Sequence, residues 1–306
     1  MSASEVSRPR VSVLMPAYNA ERYVGESVKS ILSQRFSDFE FLIIDDGSTD
    51  GTRGILEDYA ATDPRITLVS RQNRGLVASL NEMIEQAQGE FLARMDADDV
   101  AHPDRFSRQV DYLQGNPACV LVGSRVLVID PEGEPLQVMG DALSHEQIES
   151  GLMMAKGQLI YHPTVMMLSE AVRERGGYRS ETFPAEDLDL FLRLAEVGRL
   201  ANLPDPLLSY REHMNKVGYH HVVRQGEAVR SVLLEAYERR GLEPPEFIRQ
   251  LRFQPKEASD RHRIWAWWAL GSGHVGTARK HARRVLARRP FNLSSWRLLY
   301  CTLRGR

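Results

Sequence analysis

Three acidic stretches carry residues that could do chemistry. In "DADD", Asp96, Asp98 and Asp99 directly follow the apolar run "EFLARM". A D-x-D pair in extended backbone sends both side chains to the same side. Two such carboxylates are hard oxygen ligands suited to Mg²⁺ or Mn²⁺, with phosphate oxygens completing the shell. The competing use is an Asp-rich loop that caps the next helix. The second stretch, "DDGSTDGTRGILE" (45–57), nearly completes a calcium-binding EF-hand loop from Asp46, with Ser48, Asp50, Gly51 and Glu57 in register. It equally fits a turn between a strand and a helix, with Ser48, Thr49 or Asp50 as the cap. In the third, Glu186, Asp187 and Asp189 open a helical pattern, where acids complement the macrodipole.

The elements around these residues decide between the uses. Apolar runs at 11–15, 39–44, 66–69 and 90–95 read as buried strands. Between them, Val24, Val28, Ile31 and Leu32, then Ile55, Leu56 and Tyr59, then Leu76, Leu80, Met83, Ile84 and Ala87 recur at helical spacing. Strands alternating with helices predict an α/β fold with a parallel sheet and right-handed crossovers. "PAYN", "DDGSTDG" and "DADD" all follow strand ends, where ligands of such sheets bind. This context disfavours calcium. An EF-hand loop needs a helix before it, its eighth position is apolar where Arg53 stands here, and Glu57 falls on the following helix.

Further along, Phe106, Val110 and Leu113 mark a helix, "CVLVGSRVLVID" a long strand and "PEGEP" a turn. A less regular stretch runs to about residue 180. Its two glycines, in "GGYRSETFPAED", suggest a segment that closes over a ligand. "EDLDLFLRLAEVG" reads as a helix ended near Gly198, and from about 222 onward the chain reads as helices.

Taken together, "PAYN", "DDGSTDGT", "NRG" and "ARMDADD" after four successive strands resemble the family 2 glycosyltransferases of the GT-A fold. "HPTVM", "AEDLDL" and "YREH" continue the resemblance in order, over roughly residues 10 to 215. It implies inverting transfer of a sugar from a nucleotide-diphosphate donor to an acceptor hydroxyl. By the resemblance Pro16, Ala17 and Tyr18 line the nucleotide pocket, and Asp46 accepts a hydrogen bond from the base. A carboxylate accepts only, which suits the N3–H of uracil and hence a UDP-sugar; thymine offers the same group. Asn73 and Gly75 would lie near the nucleoside, Asp96 would face the ribose or the metal shell, and Ala97 would belong to the donor site. Asp98 would ligate Mn²⁺ or Mg²⁺ with help from Asp96 and His213. Asp187 would be the base that deprotonates the acceptor, and Glu186 would shape the acceptor site. The sequence lacks the Q-x-x-R-W motif and the membrane spans of processive synthases, so single addition is expected.

The expected organisation is a catalytic domain at 1–215 (donor part about 10–100, acceptor part about 101–215) and a helical region at 216–306. Composition is ordinary for a globular chain, with 42% hydrophobic and 26% charged residues. A net charge of −2 gives no reason to expect nucleic-acid binding. Cys119 and Cys301 stand far apart, which fits a reducing compartment. The polar opening "MSASEVSRPR" and the absence of a long apolar stretch predict a cytoplasmic protein, at most peripheral to the inner face of a membrane. Residues 255–306 hold 12 Lys/Arg against 2 Asp/Glu. That basic region could pack on the catalytic domain, form a homodimer contact, or meet a membrane bearing a lipid-linked acceptor glycan. Two rival readings are a catalytically silent scaffold of the same fold and a sugar-nucleotide pyrophosphorylase. The pyrophosphorylase would need a Gly-rich, basic phosphate loop that "MPAYNAERY" does not supply.

Overall fold

The first strands are mainly apolar because the middle of the sheet is covered on both faces. Val13 and Met15 of β1 (Val11–Ala17) enter one core and Leu14 the other; Phe41 and Ile43 of β2 (Phe39–Asp45) oppose Leu42 and Ile44 in the same way. A computed structural model describes residues 8–214, 222–253 and 261–305. The expected domain boundary at 215 falls outside them.

β1 pairs in parallel with β2 and with β4 (Phe91–Arg94), and β2 pairs in parallel with β3 (Ile66–Ser70). The crossovers are α1 (Val24–Leu32), α2 (Thr52–Thr62) and α3 (Leu76–Gln86). β5 (Val100–Ala101) and α4 (Arg105–Gly115) lead into the long β6 (Cys119–Ile129), which folds back as β7 (Pro135–Met139). With β8 (Met166–Leu168) and β9 (Arg199–Arg211), the sheet has nine strands among the described residues, in the order β3-β2-β1-β4-β8-β6-β9-β5, with β7 paired to β6.

The less regular stretch of the sequence is more ordered than expected. It contains α5 (His145–Met153), β8 (Met166–Leu168) and α6 (Ser169–Glu174). β8 runs antiparallel to both β4 and β6 and fills the middle of the sheet, so the sheet is mixed, with its parallel pairs concentrated at β1 to β4. A three-residue strand is too short to show a period. α5 did have a readable signal: Ser144 and Gln147 form a reciprocal capping box.

The segment with two glycines is tied down. Gly176 and Gly177 take positive φ at 76° and 65°, and Arg193 donates to the carbonyls of Arg175 and Gly177. It leads into α7 (Glu186–Ala195), and β9 (Arg199–Arg211) then covers the far edge of β6.

α8 (Val222–Arg239) and α9 (Glu246–Arg249) join the core on the α3 side. α10 (Arg261–Gly271), α11 (Val275–Arg288) and α12 (Leu293–Arg304) stack behind the β6–β7 hairpin. Trp265 is 1% exposed there. Asp130, at the end of β6, is fully buried against His281 and Lys280 of α11. His281 in turn lies 2.9 Å from His262 of α10. This part of the basic region therefore packs on the catalytic fold.

Candidate active site

The end of β1, the loop after β4, the start of α7 and the residues after β9 meet around a cleft of about 690 Å³. Its walls include Pro16, Tyr18, Asp96, Ala97, Asp98, Glu186, Asp187 and His213. Residues expected to act together but far apart in sequence thus share one space.

The loop after β4 is held through its main chain. Arg211 of β9, 2% exposed, donates from Nε to the carbonyl of Asp98 at 2.8 Å and from its backbone N–H to Asp99 Oδ1 at 2.8 Å. Its other end pairs with Glu26, and its guanidinium lies 4.7 Å from the Tyr23 ring centroid. Ser27 Oγ donates to the carbonyl of Asp99 at 2.7 Å. With the backbone fixed in this way, the carboxylates of Asp96, Asp98 and Asp99 place oxygens within 4.8 Å of one another. His213 Nε2 lies 2.6 Å from Asp98 Oδ2. Clustered carboxylates beside an imidazole fit a small divalent cation, and the imidazole suits Mn²⁺ better than Mg²⁺.

Arg94 stands at the end of β4, 3% exposed, and pairs with Asp96. Burial alone would lower its pKa, but the Asp96 carboxylate more than reverses this, so the guanidinium is a fixed positive charge on the cleft wall. It faces His162, whose pKa burial and Arg94 together hold well below the ordinary range. His162 is therefore neutral near pH 7 and sits 2.7 Å from the Tyr178 hydroxyl.

The three acids opening α7 divide by environment. Asp189 is buried and clamped by Arg179 and Arg193; burial works against its charge, and those hydrogen bonds win, leaving its pKa lowered. Glu186 and Asp187 face the cleft instead. Burial raises both, with the neighbouring Asp187 charge adding to the effect on Glu186 and with Arg94 opposing it on each. Glu186 Oε2 is buried without a hydrogen-bond partner among the described residues. Asp187 Oδ1 accepts from the backbone N–H of Leu188 at 2.7 Å.

Ala17, Asp46, Asn73 and Gly75 do not line this cleft. Ala17 is buried in β1, and its carbonyl accepts from the Asp46 N–H at 2.8 Å. The Asp46 carboxylate is 4% exposed and ties down the 71–75 loop. It accepts from the N–H groups of Arg74 at 2.9 Å and Gly75 at 2.8 Å, and pairs with the Arg71 guanidinium. Gly75, at φ 88°, needs the left-handed region and borders a second hollow that shares Leu76 and Phe183 with the cleft. Asn73 is exposed. The calcium-loop reading fails on geometry: a strand precedes the loop, Asp50 accepts from Thr52 at 3.0 Å, and Glu57 is engaged by Arg53 at 2.7 Å on the outside of α2.

Sequence reasoning missed Arg94, His162, Tyr178 and Arg211 as individuals. Arg94 did carry a signal, since an arginine closing an otherwise apolar strand needs a buried partner.

A parallel β1–β4 unit with an aspartate cluster after its fourth strand, extended by a mixed sheet and closing helices, is a GT-A architecture. The fold is shared with solved structures of low identity. A mannosyltransferase from Pyrobaculum calidifontis, in complex with GDP-Man and Mn²⁺, is 23% identical with a TM-score of 0.59, covering 96% of this chain and 79% of that one. S. aureus TarS 1–349, in complex with UDP-GlcNAc, is 16% identical with a TM-score of 0.58, covering 97% and 92%. The chain belongs to glycosyl transferase family 2, whose model matches residues 12–175, and it is a glycosyltransferase. EpsE of Bacillus subtilis (strain 168), whose name places it among the glycosyltransferases, is 42% identical over 211 residues, covering 67% of this chain and 74% of that protein. The Escherichia coli O-antigen biosynthesis glycosyltransferase WbnJ is 31% identical over 207 residues, covering 66% and 80%.

Proposed function

We propose that the protein transfers a sugar, with inversion, from a nucleotide-diphosphate donor to an acceptor glycan hydroxyl in polysaccharide assembly. The observation that carries this reading is the meeting of Asp98, His213 and Asp187 on one cleft. Pro16 and Tyr18 wall the nucleotide side. Asp98, Asp96 and His213 would hold a divalent cation, Mn²⁺ by the imidazole criterion, which supplies positive charge to a diphosphate leaving group. Arg94 adds a charge that does not titrate near neutrality. Asp187 accepts the proton of the attacking hydroxyl, and its raised pKa makes it a stronger base than an exposed aspartate. Glu186, held toward its neutral form, avoids a second negative charge beside the base.

Relatives' names support the setting: WbnJ is named for O-antigen biosynthesis, and an Escherichia coli chondroitin synthase is 30% identical over 217 residues. This chain spans only 29% of that synthase. The structural neighbours hold GDP-Man in one case and UDP-GlcNAc in the other, so the fold accommodates more than one base. UDP is our choice here because Asp46 retains acceptor capacity. A carboxylate offers about four lone-pair sites, and three protein donors leave room for an imide N–H.

Calorimetric titration of UDP, dTDP and GDP, with and without Mn²⁺, tests the reading on the intact protein and on Asp98→Ala. Metal-dependent binding of UDP, lost in the variant, is expected. A folded protein that binds none of the three would overturn the proposal.

A further inference from the structure

α12 presents its apolar side to solvent. The positions it turns inward are Ser295, Leu298 and Thr302, while Leu293 is 85% exposed, Trp296 53%, Tyr300 57% and Leu303 54%. Their spacing puts the four outer residues on one helical face. Phe291, in the turn before the helix, is 98% exposed. Single exposed apolar residues are ordinary, but a contiguous row of them marks an interaction surface.

The row is held rigidly. Asn292 caps the helix through the Ser294 N–H at 2.9 Å, and Trp296 Nε1 donates to the carbonyl of Pro290 at 2.7 Å. Arg279 of α11 donates to the carbonyls of Thr302 and Leu303 at the other end.

Charge selects the occupant. From residue 261 to 306 the chain carries 11 Lys/Arg and no Asp or Glu. Lys280 and Arg284 point inward to Asp130 and Glu132, but Arg289 and Arg297 are exposed beside the apolar row. A second copy docked here about a two-fold axis would set this acid-free segment against itself. Trp and Tyr among aliphatics, edged by arginine, suit the headgroup level of a bilayer, where the rings bridge polar and apolar layers. No helix among the described residues is long and apolar enough to cross a membrane, so the contact lies in the plane of the surface.

We propose that α12 and the Phe291 turn rest on an anionic lipid surface. The inference stands independently of the transferase reading.

The test is co-sedimentation of the full chain with phosphatidylcholine vesicles, with and without phosphatidylglycerol, at low and high salt. Binding to the phosphatidylglycerol vesicles that weakens with salt is expected. Arg289→Ala with Arg297→Ala should lower the partition coefficient about thirtyfold. Phe291→Ser with Trp296→Ser should abolish binding while the thermal melt stays as in the parent. Nucleotide titration in free solution should be the same for all of these proteins. Absence of binding to anionic vesicles, or binding undiminished in both double variants, overturns the proposal. So does a dimer, seen by light scattering, that the Phe291/Trp296 variant dissociates.

Discussion

The imidazole of His213 lies 2.6 Å from a carboxylate oxygen of Asp98, joining the residues after the ninth strand to the loop after the fourth. The pair spans 115 positions of sequence, and the Tyr23 ring, 5.6 Å away, flanks the imidazole. Asp98→Ala should remove metal-dependent nucleotide binding. His213→Ala should weaken Mn²⁺ affinity about 10- to 100-fold, the usual cost of losing a residue that orients or completes a metal shell. Calorimetric Mn²⁺ titration checks both. Unchanged affinity in His213→Ala would reduce that residue to a packing role.

Asp187→Asn should lower kcat about 10²- to 10⁴-fold while nucleotide affinity holds, as expected for loss of a general base. The base must be ionised to act, and burial raises its pKa. The acid limb of the kcat profile should therefore lie above the range of an ordinary aspartate. A limb near pH 4 in the parent enzyme would count against Asp187.

Glu186, raised like Asp187, bears on stability. Its pKa is raised by burial, to about 7, so the stability tied to its proton is complete below the ordinary carboxylate range and lost as pH rises through that value. Glu186→Gln should melt above the parent at alkaline pH and converge with it in acid. Melting curves across that range decide.

Asp130 is the reverse case. Burial disfavours its charge, but hydrogen bonds from His281, Lys280 and the backbone prevail, and its pKa falls. That stabilisation is present above the ordinary carboxylate pKa and is lost only in strong acid. Asp130→Ala takes away the partner of the buried His281 Nε2, while Lys280 keeps Glu134, and should cost about 1–3 kcal/mol at neutral pH, read by urea unfolding.

Arg71→Ala tests what Asp46 does. Nucleotide binding that is weakened equally by Asp46→Ala and Arg71→Ala indicates that the aspartate acts by fixing the 71–75 loop. A larger loss in Asp46→Ala, restored on changing the base, indicates direct contact with the nucleotide.

The half of the fold that holds β1 to β4 was legible because its inner strands are covered on both faces, so their residues are mainly apolar. Val13 and Leu14 serve different cores, yet in sequence they make one signal. β8 was not legible: Met166–Leu168 is three residues placed by its neighbours β4 and β6 rather than by any period of its own. The cleft acids could be found because Asp96, Asp98, Glu186 and Asp187 cluster in short strings after elements. Arg211 could not be assigned, since its partners Asp98, Asp99 and Glu26 lie in distant elements, whereas Arg94 pairs with Asp96 only two positions on. Asp130 and His281 are 151 positions apart, and neither stands in a motif.

The family match stops at residue 175, but the sheet does not. β9 bonds along the whole of β6, eleven residues from Cys119 to Ile129, and carries the chain on to His213. An exchange of segments between relatives cut at residue 175 would take Asp187 and His213 from one parent and Asp98 from the other. Ended at that point without replacement, the chain would leave β6 as a long apolar edge ready to pair with other chains. The inheritable unit of this enzyme therefore runs past its signature, at least to residue 213.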